Sequence, residues 1–379
     1  MNEYFSTKQT TARDASFDDI VMPVLKVIGL GGGGCNAVAR MIELGLSGVE
    51  FIAANTDLQA LNENPAKTKI LLGPQTTRGF GAGGDPNYGR IAARESREEL
   101  AAAIEGADMV FLTAGMGGGT GTGAIPVTAE IAQSLGAVTI AVVTTPFSFE
   151  MGRRQKNANE GLQELKEHTH TLVSIPNDRL LYVAPKDLPL DMAFRLADDV
   201  LRQAVQGIAE LITEPGLINV DFAHVRRLMM LGGGALMSIG QGQGENKTRS
   251  ALDQALHHPL LETTSLIDAA GVIANFTGGE DLSLLEVQDA LQDLQKETGP
   301  NTEIVMGVTN DNRMDGRVQV ILMVTGIKAI TLEQALSSVK ALEPEEQEEA
   351  PVAVEKVVPK HNFRNSRNLD IPTFLRNRM

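Results

Sequence analysis

Two glycine-dense segments carry the clearest chemistry in this sequence. Gly29-Leu30-Gly31-Gly32-Gly33-Gly34 matches G-x-G-x-x-G and follows a short β-branched run, Val24-Leu25-Lys26-Val27-Ile28. Gly117-Gly118-Gly119-Thr120-Gly121-Thr122-Gly123 puts five glycines into seven residues directly after another apolar run. Bare backbone N–H groups in such loops can wrap an anion, and a following helix N-terminus adds partial positive charge. The hydroxyls of Thr120 and Thr122 can donate as well. Alone, the first loop is compatible with a dinucleotide, with Asp57 as ribose ligand, or with a plain strand-to-helix turn. The structural alternative for the second is a glycine hinge. Two such loops at neighbouring strand ends exceed the needs of a pyrophosphate and suit a triphosphate. No G-x-x-x-x-G-K-S/T occurs and neither loop holds a lysine, so this is not a P-loop.

Phe194 and Asp198 lie four apart in a long apolar-striped stretch and so share a helix face. A ring there could stack on a purine, and a carboxylate could accept from N1–H and the 2-amino group of guanine. Adenine lacks that donor pair. On spacing alone, a core Phe194 and a solvated Asp198 are the preferred reading. Cys35 at a helix start has either a lowered pKa or a packing role. His257-His258 and His168-x-His170 lack a set of metal-binding partners, and no metal site is expected.

The elements that must position these residues alternate. Apolar runs at 24–28, 49–54, 69–72, 108–113, 137–144 and 171–175 are separated by helical patterns at 37–44, 91–104 and 126–135. That order predicts a Rossmann-like α/β domain, a parallel sheet covered on both faces, with ligands beyond the strand C-termini. A 3.6-residue stripe over 190–212 predicts a long central helix, stopped by Pro215-Gly216. A smaller α/β domain follows, with helices at 250–256 and 282–294 and strands at 271–276, 303–308 and 318–324. The turn-rich 310–316 segment predicts a hairpin between the last two strands. Gly232-Gly233-Gly234 reads as a C-cap or turn.

Composition narrows the class. Of 379 residues, 42% are apolar, enough for sizeable cores. Acids exceed bases, 48 − 33 = 15, for a net charge of −15, which argues against nucleic acid as a partner. One cysteine excludes intramolecular disulfides and suits a reducing compartment. The polar start and the lack of any 18-residue apolar run predict a cytoplasmic protein without direct membrane insertion. Glu343, Glu345, Glu346, Glu348, Glu349 and Glu355 form an acidic, self-repelling stretch, after which Lys360, Arg364, Arg367, Arg376 and Arg378 reverse the sign.

The motifs at 117–123 (GGGTGTG), Gly31-Gly32-Gly33-Gly34 with Asn36, and Asn55-Thr56-Asp57 together resemble the tubulin/FtsZ superfamily. Arg78-Gly79-Phe80-Gly81-Ala82-Gly83, Pro146-Phe147-Ser148-Phe149-Glu150, Ile175-Pro176-Asn177-Asp178 and Asn219-Val220-Asp221-Phe222 extend the likeness to its bacterial cell-division branch. The resemblance runs from about Leu25 to Gly326 and resumes at the tail. It implies a GTPase that polymerises head to tail at the midcell division ring, with GTP/GDP and Mg²⁺ as cofactors. By the same resemblance Gly32, Gly33, Gly34, Gly118, Gly119, Thr120, Gly121 and Thr122 hold phosphates, and Asn36 binds the nucleotide. Glu150 and Arg154 contact the ribose, Asn177 the ribose or base, and Phe194 with Asp198 the guanine. Glu150-Met151-Gly152-Arg153-Arg154 departs from the family's Glu-Gly-basic-basic-Arg by moving the glycine one place, yet keeps the Glu-to-Arg spacing.

The implied organisation is an extension (1–22), a GTP-binding domain (23–189), a central helix (190–212), a C-terminal domain (213–328), a linker (329–368) and a partner-binding peptide (369–379). In the family, a loop from the next subunit supplies carboxylates to the attacking water. Here that loop carries Asn219 and Asp221, and His224 stands where a second acid is expected. Either the imidazole accepts a proton and hydrolysis continues with altered pH dependence, or turnover slows and filaments live longer. In the tail, Asp370-Ile371-Pro372-Thr373-Phe374-Leu375 resembles the peptide that recruits membrane anchors and regulators. Ile371, Phe374 and Leu375 can fill a groove while Arg376 and Arg378 meet an acidic rim.

Overall fold

The computed structural model describes residues 22–150, 152–181, 189–213, 216–218, 220–232, 234–258, 266–267 and 269–327. The N-terminal extension, Asn219, the linker and the tail peptide lie outside the described residues. The first half runs β1 (Leu25–Leu30), α1 (Gly31–Glu43), β2 (Glu50–Asn55), α2 (Leu58–Glu63), β3 (Thr68–Leu71), α3 (Pro86–Glu95) and α4 (Arg97–Ile104). It continues with β4 (Met109–Gly115), α5 (Thr120–Ser134), β5 (Val138–Thr145), α6 (Arg153–Glu167), β6 (Thr171–Pro176) and α7 (Asn177–Leu180). The second half holds α8 (Leu190–Thr213), α9 (Phe222–Met230), β7 (Gly234–Gln243), α10 (Lys247–Leu256) and β8 (Gly271–Gly278). It ends with α11 (Leu284–Thr298), β9 (Glu303–Asn310) and β10 (Arg317–Ile327).

The first six strands are parallel in the order β3-β2-β1-β4-β5-β6, the doubly wound arrangement expected from the alternation. Period-2 alternation sends β1 side chains to two cores. Leu25 and Val27 face α1 and α8, while Ile28 and Leu30 face the side packed by α3, α4, α5 and α6. Both faces are buried, which is why these strands read as continuous apolar runs.

The sheet does not stop at the domain boundary. β7 pairs with β6 at Leu172–Gly234 and Val173–Ala235, making one ten-stranded sheet. Helix α8 packs across this junction, with Leu201, Val205 and Ile208 in the same core as Met237, Ile273 and Met323. A third core lies under α10 and α11, around Phe276, Val320 and Leu322. Among the described residues, no helix is long and apolar enough to cross a membrane.

Three expectations need correction. Strands β9 and β10 are not a hairpin, because β8 lies between them and pairs with both. The 311–316 turn instead crosses the end of β8, where Asp311 N–H donates to the Gly278 carbonyl at 2.8 Å. The 91–104 pattern is two helices meeting at Ser96, which ends α3 and begins α4. Helix α5 starts at Thr120, inside the second glycine loop, so Pro126 lies within the helix and not before it.

Candidate nucleotide site

The two glycine loops meet where the strand order reverses, between β1 and β4, the place where open α/β sheets hold ligands. The first turns of α1 and α5 touch. A Cβ on Gly31, whose φ is +69°, would come within 2.7 Å of Gly121 N. Gly34 is required by packing too, since its Cβ would lie 2.2 Å from the Thr113 carbonyl oxygen.

Gly32 and Gly118 are different. Neither has a positive φ, and a Cβ on either would meet no protein atom within 4 Å. No fold constraint demands glycine at these two positions. They fit a cradle whose floor must stay clear for a ligand's phosphates. Gly33 is half-buried beside Gly115, Gly119 and Gly121 are buried, and Asn36 is exposed on α1.

The two threonines divide their work. Thr122 is buried and its Oγ1 accepts the Gly117 N–H at 2.8 Å, closing the loop on itself. Thr120 stays partly exposed, with its Oγ1 2.6 Å from Thr56 Oγ1. Sequence reasoning assigned no role to Thr56. Its pairing follows from β2 lying beside β1 and has no periodic signal. Asp57 has a structural role in the fold. Its carboxylate caps α2, accepting from Gln59 N–H at 2.9 Å and Ala60 N–H at 3.1 Å.

On the far side of the cradle, β5 ends in a 3-10 turn, Ser148–Glu150. The Glu150 side chain is 8% exposed, pairs with Arg154, and accepts the Phe147 N–H at 2.9 Å. Gly152 takes φ +66° just before α6, so the displaced glycine serves the helix entry. Asn177 opens α7, is buried, and its Oδ1 has no hydrogen-bond partner. A buried orphan acceptor is costly unless a ligand's donor reaches it.

Phe194 is 39% exposed and its ring contacts Phe147 in a T-shape, centroids 5.6 Å apart. Asp198 is partly buried instead of solvated. Burial pushes its carboxyl up to about 7, with the Arg40 guanidinium opposing. Phe194 is thus not a fully buried core ring, and Asp198 is not a fully solvated carboxylate. Neighbouring Asp199 is also partly buried, but bonds from Arg202 and Gln203 hold it below the usual carboxylate range.

Asp221 and His224 sit elsewhere. Asp221 caps α9, accepting the Ala223 N–H at 3.0 Å, and both residues are exposed. Val220 and Leu211, in the last turns of α8, both pack on Gly307. Met229 at the end of α9 accepts from Thr171 Oγ1 at the start of β6. These residues therefore lie at the edge where the parallel strands begin. Helix α8, 24 residues and about 36 Å long, separates them from the cradle at the strand ends.

Residues 24–185 match the model described as "Tubulin/FtsZ family, GTPase domain", and residues 233–328 match "FtsZ family, C-terminal domain". An empty FtsZ dimer from M. jannaschii is 45% identical, with a TM-score of 0.79 over 83% of this chain and 91% of that one. The chain belongs to the FtsZ family. A GTPγS-bound protofilament of CetZ2 from Haloferax volcanii, 20% identical with a TM-score of 0.71 over 84% of this chain and 98% of that one, shares the fold. This FtsZ-family chain accordingly carries a tubulin-like GTPase domain.

The remaining candidates have local roles. Burial pushes the Cys35 thiol up to about 12, and it packs against the carbonyls of Gly29 and Ala54. The lowered-pKa possibility therefore fails for it. His170 Nδ1 accepts the Thr139 N–H at 3.0 Å, and burial with the nearby Arg226 charge holds its pKa down. Gly232, φ +76°, ends the α9 region as a turn glycine should.

Proposed function

We propose that this chain binds GTP in the cradle between α1 and α5, polymerises head to tail, and hydrolyses GTP where one copy's 219–224 loop reaches the next copy's cradle. The observation that carries it is the opposed placement of Phe194 and Asp221 at the two ends of α8. One molecule cannot bring its own Asp221 to its own cradle. A second copy stacked along the helix axis can. The 45%-identical FtsZ relative is a dimer, which supports self-association.

In this reading Gly32, Gly33, Gly34 and Asn36, with Gly118, Gly119, Thr120 and Gly121, surround the phosphates, and Thr122 shapes the loop that does so. Glu150 and Arg154 take the ribose, Asn177 offers its unpartnered Oδ1 to a ribose or base donor, and Phe194 with Asp198 holds guanine. Asp221 and Asn219 of the neighbouring copy orient the water that attacks the γ-phosphorus, and the bond to the β–γ bridging oxygen breaks. Among the described residues no group of three His, Cys, Asp or Glu side chains could hold a metal ion. Mg²⁺ would be held with the triphosphate's own oxygens, where it neutralises charge. In the cell, the filament forms the cytoplasmic midcell ring of a bacterium. Membrane anchors and regulators bind Asp370-Ile371-Pro372-Thr373-Phe374-Leu375.

A second reading keeps binding and polymerisation but makes hydrolysis slow. It is favoured by His224, exposed in the same first turn of α9 as Asp221, where the family supplies another acid. Phosphate release measured above and below the polymerisation threshold, with GTP and ATP, tests both. Release that tracks protein concentration linearly through the threshold would overturn the shared site. Polymer without release would select the scaffold.

A further inference from the structure

We propose that Phe147 is a positioning residue that aligns the base-binding and ribose-binding side chains of this site. The proposal rests on the assignment of Phe194 to the base and Glu150 to the ribose. Phe147 is fully buried just beyond the end of β5. Its ring stacks on Phe149, centroids 5.0 Å apart at 14°, and meets Phe194 in a T-shaped contact at 80°. Its backbone N–H donates to Glu150 Oε1 at 2.9 Å. The next N–H, on Ser148, donates to Asp178 Oδ1 at 2.8 Å, beside Asn177. A single turn thus fastens the end of β5 to Glu150, to the start of α7 and to the exposed ring on α8.

The need for such a brace follows from Phe194 itself. A phenylalanine that is 39% exposed on a helix has more than one rotamer open to it. Contact with the buried Phe147 ring selects one of them before a purine arrives, so less freedom is lost on binding. Phe149, half exposed, stacks on Phe147 and adds a second aromatic contact to that ring.

Replacing Phe147 by leucine keeps the apolar contact and removes the ring. Calorimetry on the full chain should show GTP binding about tenfold weaker, the scale of one aromatic pair. Inorganic tripolyphosphate, which engages only the glycine cradle, should compete as well as before. Phe149→Leu, at a half-exposed position that spares folding, should weaken GTP about threefold with tripolyphosphate unchanged. It decides the matter alone should Phe147→Leu fail to fold. Equal losses for GTP and tripolyphosphate would mark a structural role and overturn the proposal. Phe194→Leu separates the two levels. If it leaves GTP affinity intact, the base assignment itself is wrong. If it weakens GTP while the Phe149 and Phe147 variants bind within twofold of the parent chain, the positioning role alone is overturned.

Discussion

Thr56 and Thr120 share a hydrogen bond, Oγ1 to Oγ1 at 2.6 Å, that joins the end of β2 to the first residue of α5. The Thr56 carbonyl also accepts the Gly81 N–H at 3.1 Å, so one residue touches both the cradle and the glycine-rich 78–84 loop. Thr56→Val keeps the shape and deletes the hydroxyl. The bond lies within the chain, so its loss should cost about 1 kcal/mol of stability, and GTP affinity should fall as far as Thr120 depends on it for orientation. Titration of GTP into the variant checks this, and an unchanged affinity would mean that Thr120 needs no partner.

The glycines separate folding from binding. Gly34→Ala forces a methyl against the Thr113 carbonyl oxygen, a 2.2 Å approach, and should cost about 1–3 kcal/mol of stability. Gly32→Ala meets nothing in the protein and should leave stability intact while weakening GTP. Denaturant melts and nucleotide titrations on the pair give the contrast. Destabilisation by Gly32→Ala would sink the idea that its hollow is reserved for ligand.

Asp198 predicts a pH profile. With its carboxyl raised to about 7, guanine binding that requires the carboxylate should weaken as pH falls below that value, about tenfold by pH 6. Asp198→Asn should flatten the profile, and Arg40→Met, which removes the opposing positive charge, should shift it to higher pH. The linkage to folding has the opposite sense. Because the unfolded value is 3.8, the folded chain holds a proton that the unfolded chain has lost. This group's contribution to stability is full below about 4 and is lost as pH rises through about 7.

His224→Asp should raise polymer-dependent phosphate release on the order of tenfold if the second acid is what the neighbouring cradle lacks. Asp221→Ala should nearly abolish release without changing GTP affinity of the isolated subunit. An unchanged rate in His224→Asp would show that this position only faces the contact.

Cys35 should be unreactive toward iodoacetamide in the native protein at pH 8, where a thiol titrating near 12 is almost wholly protonated. In denaturant it should react at once. Labelling of the native chain at a comparable rate would contradict the burial.

Much of the fold is legible in the sequence. Strands β1 to β6 announce themselves because both faces are buried, and the glycine loops because they punctuate them. Strand β7 was missed for a physical reason. Its Gly240 and Gly242 look like breakers, yet α10 lies so close that a Cβ on either would come within 1.9 Å of a helix carbonyl oxygen. The glycines are there to admit the helix. Likewise the turn residues at 310–316 promised a hairpin, but turn chemistry is local and says nothing of a third strand slipping between. The exposures of Phe194 and Asp198 were beyond spacing, since they depend on where α8 meets β5 and α1.

The distance between Phe194 and Asp221 also sets an arithmetic for the polymer. A row of n copies would own n − 1 completed hydrolytic sites. At one tip a nucleotide waits with no neighbour to supply its acid; at the other an acid stands with no nucleotide. Turnover per copy would therefore climb with length toward a ceiling, and the tip with the open cradle would keep its triphosphate longest. Two chemically unlike tips would be a direct product of one helix long enough to hold the halves of a site apart.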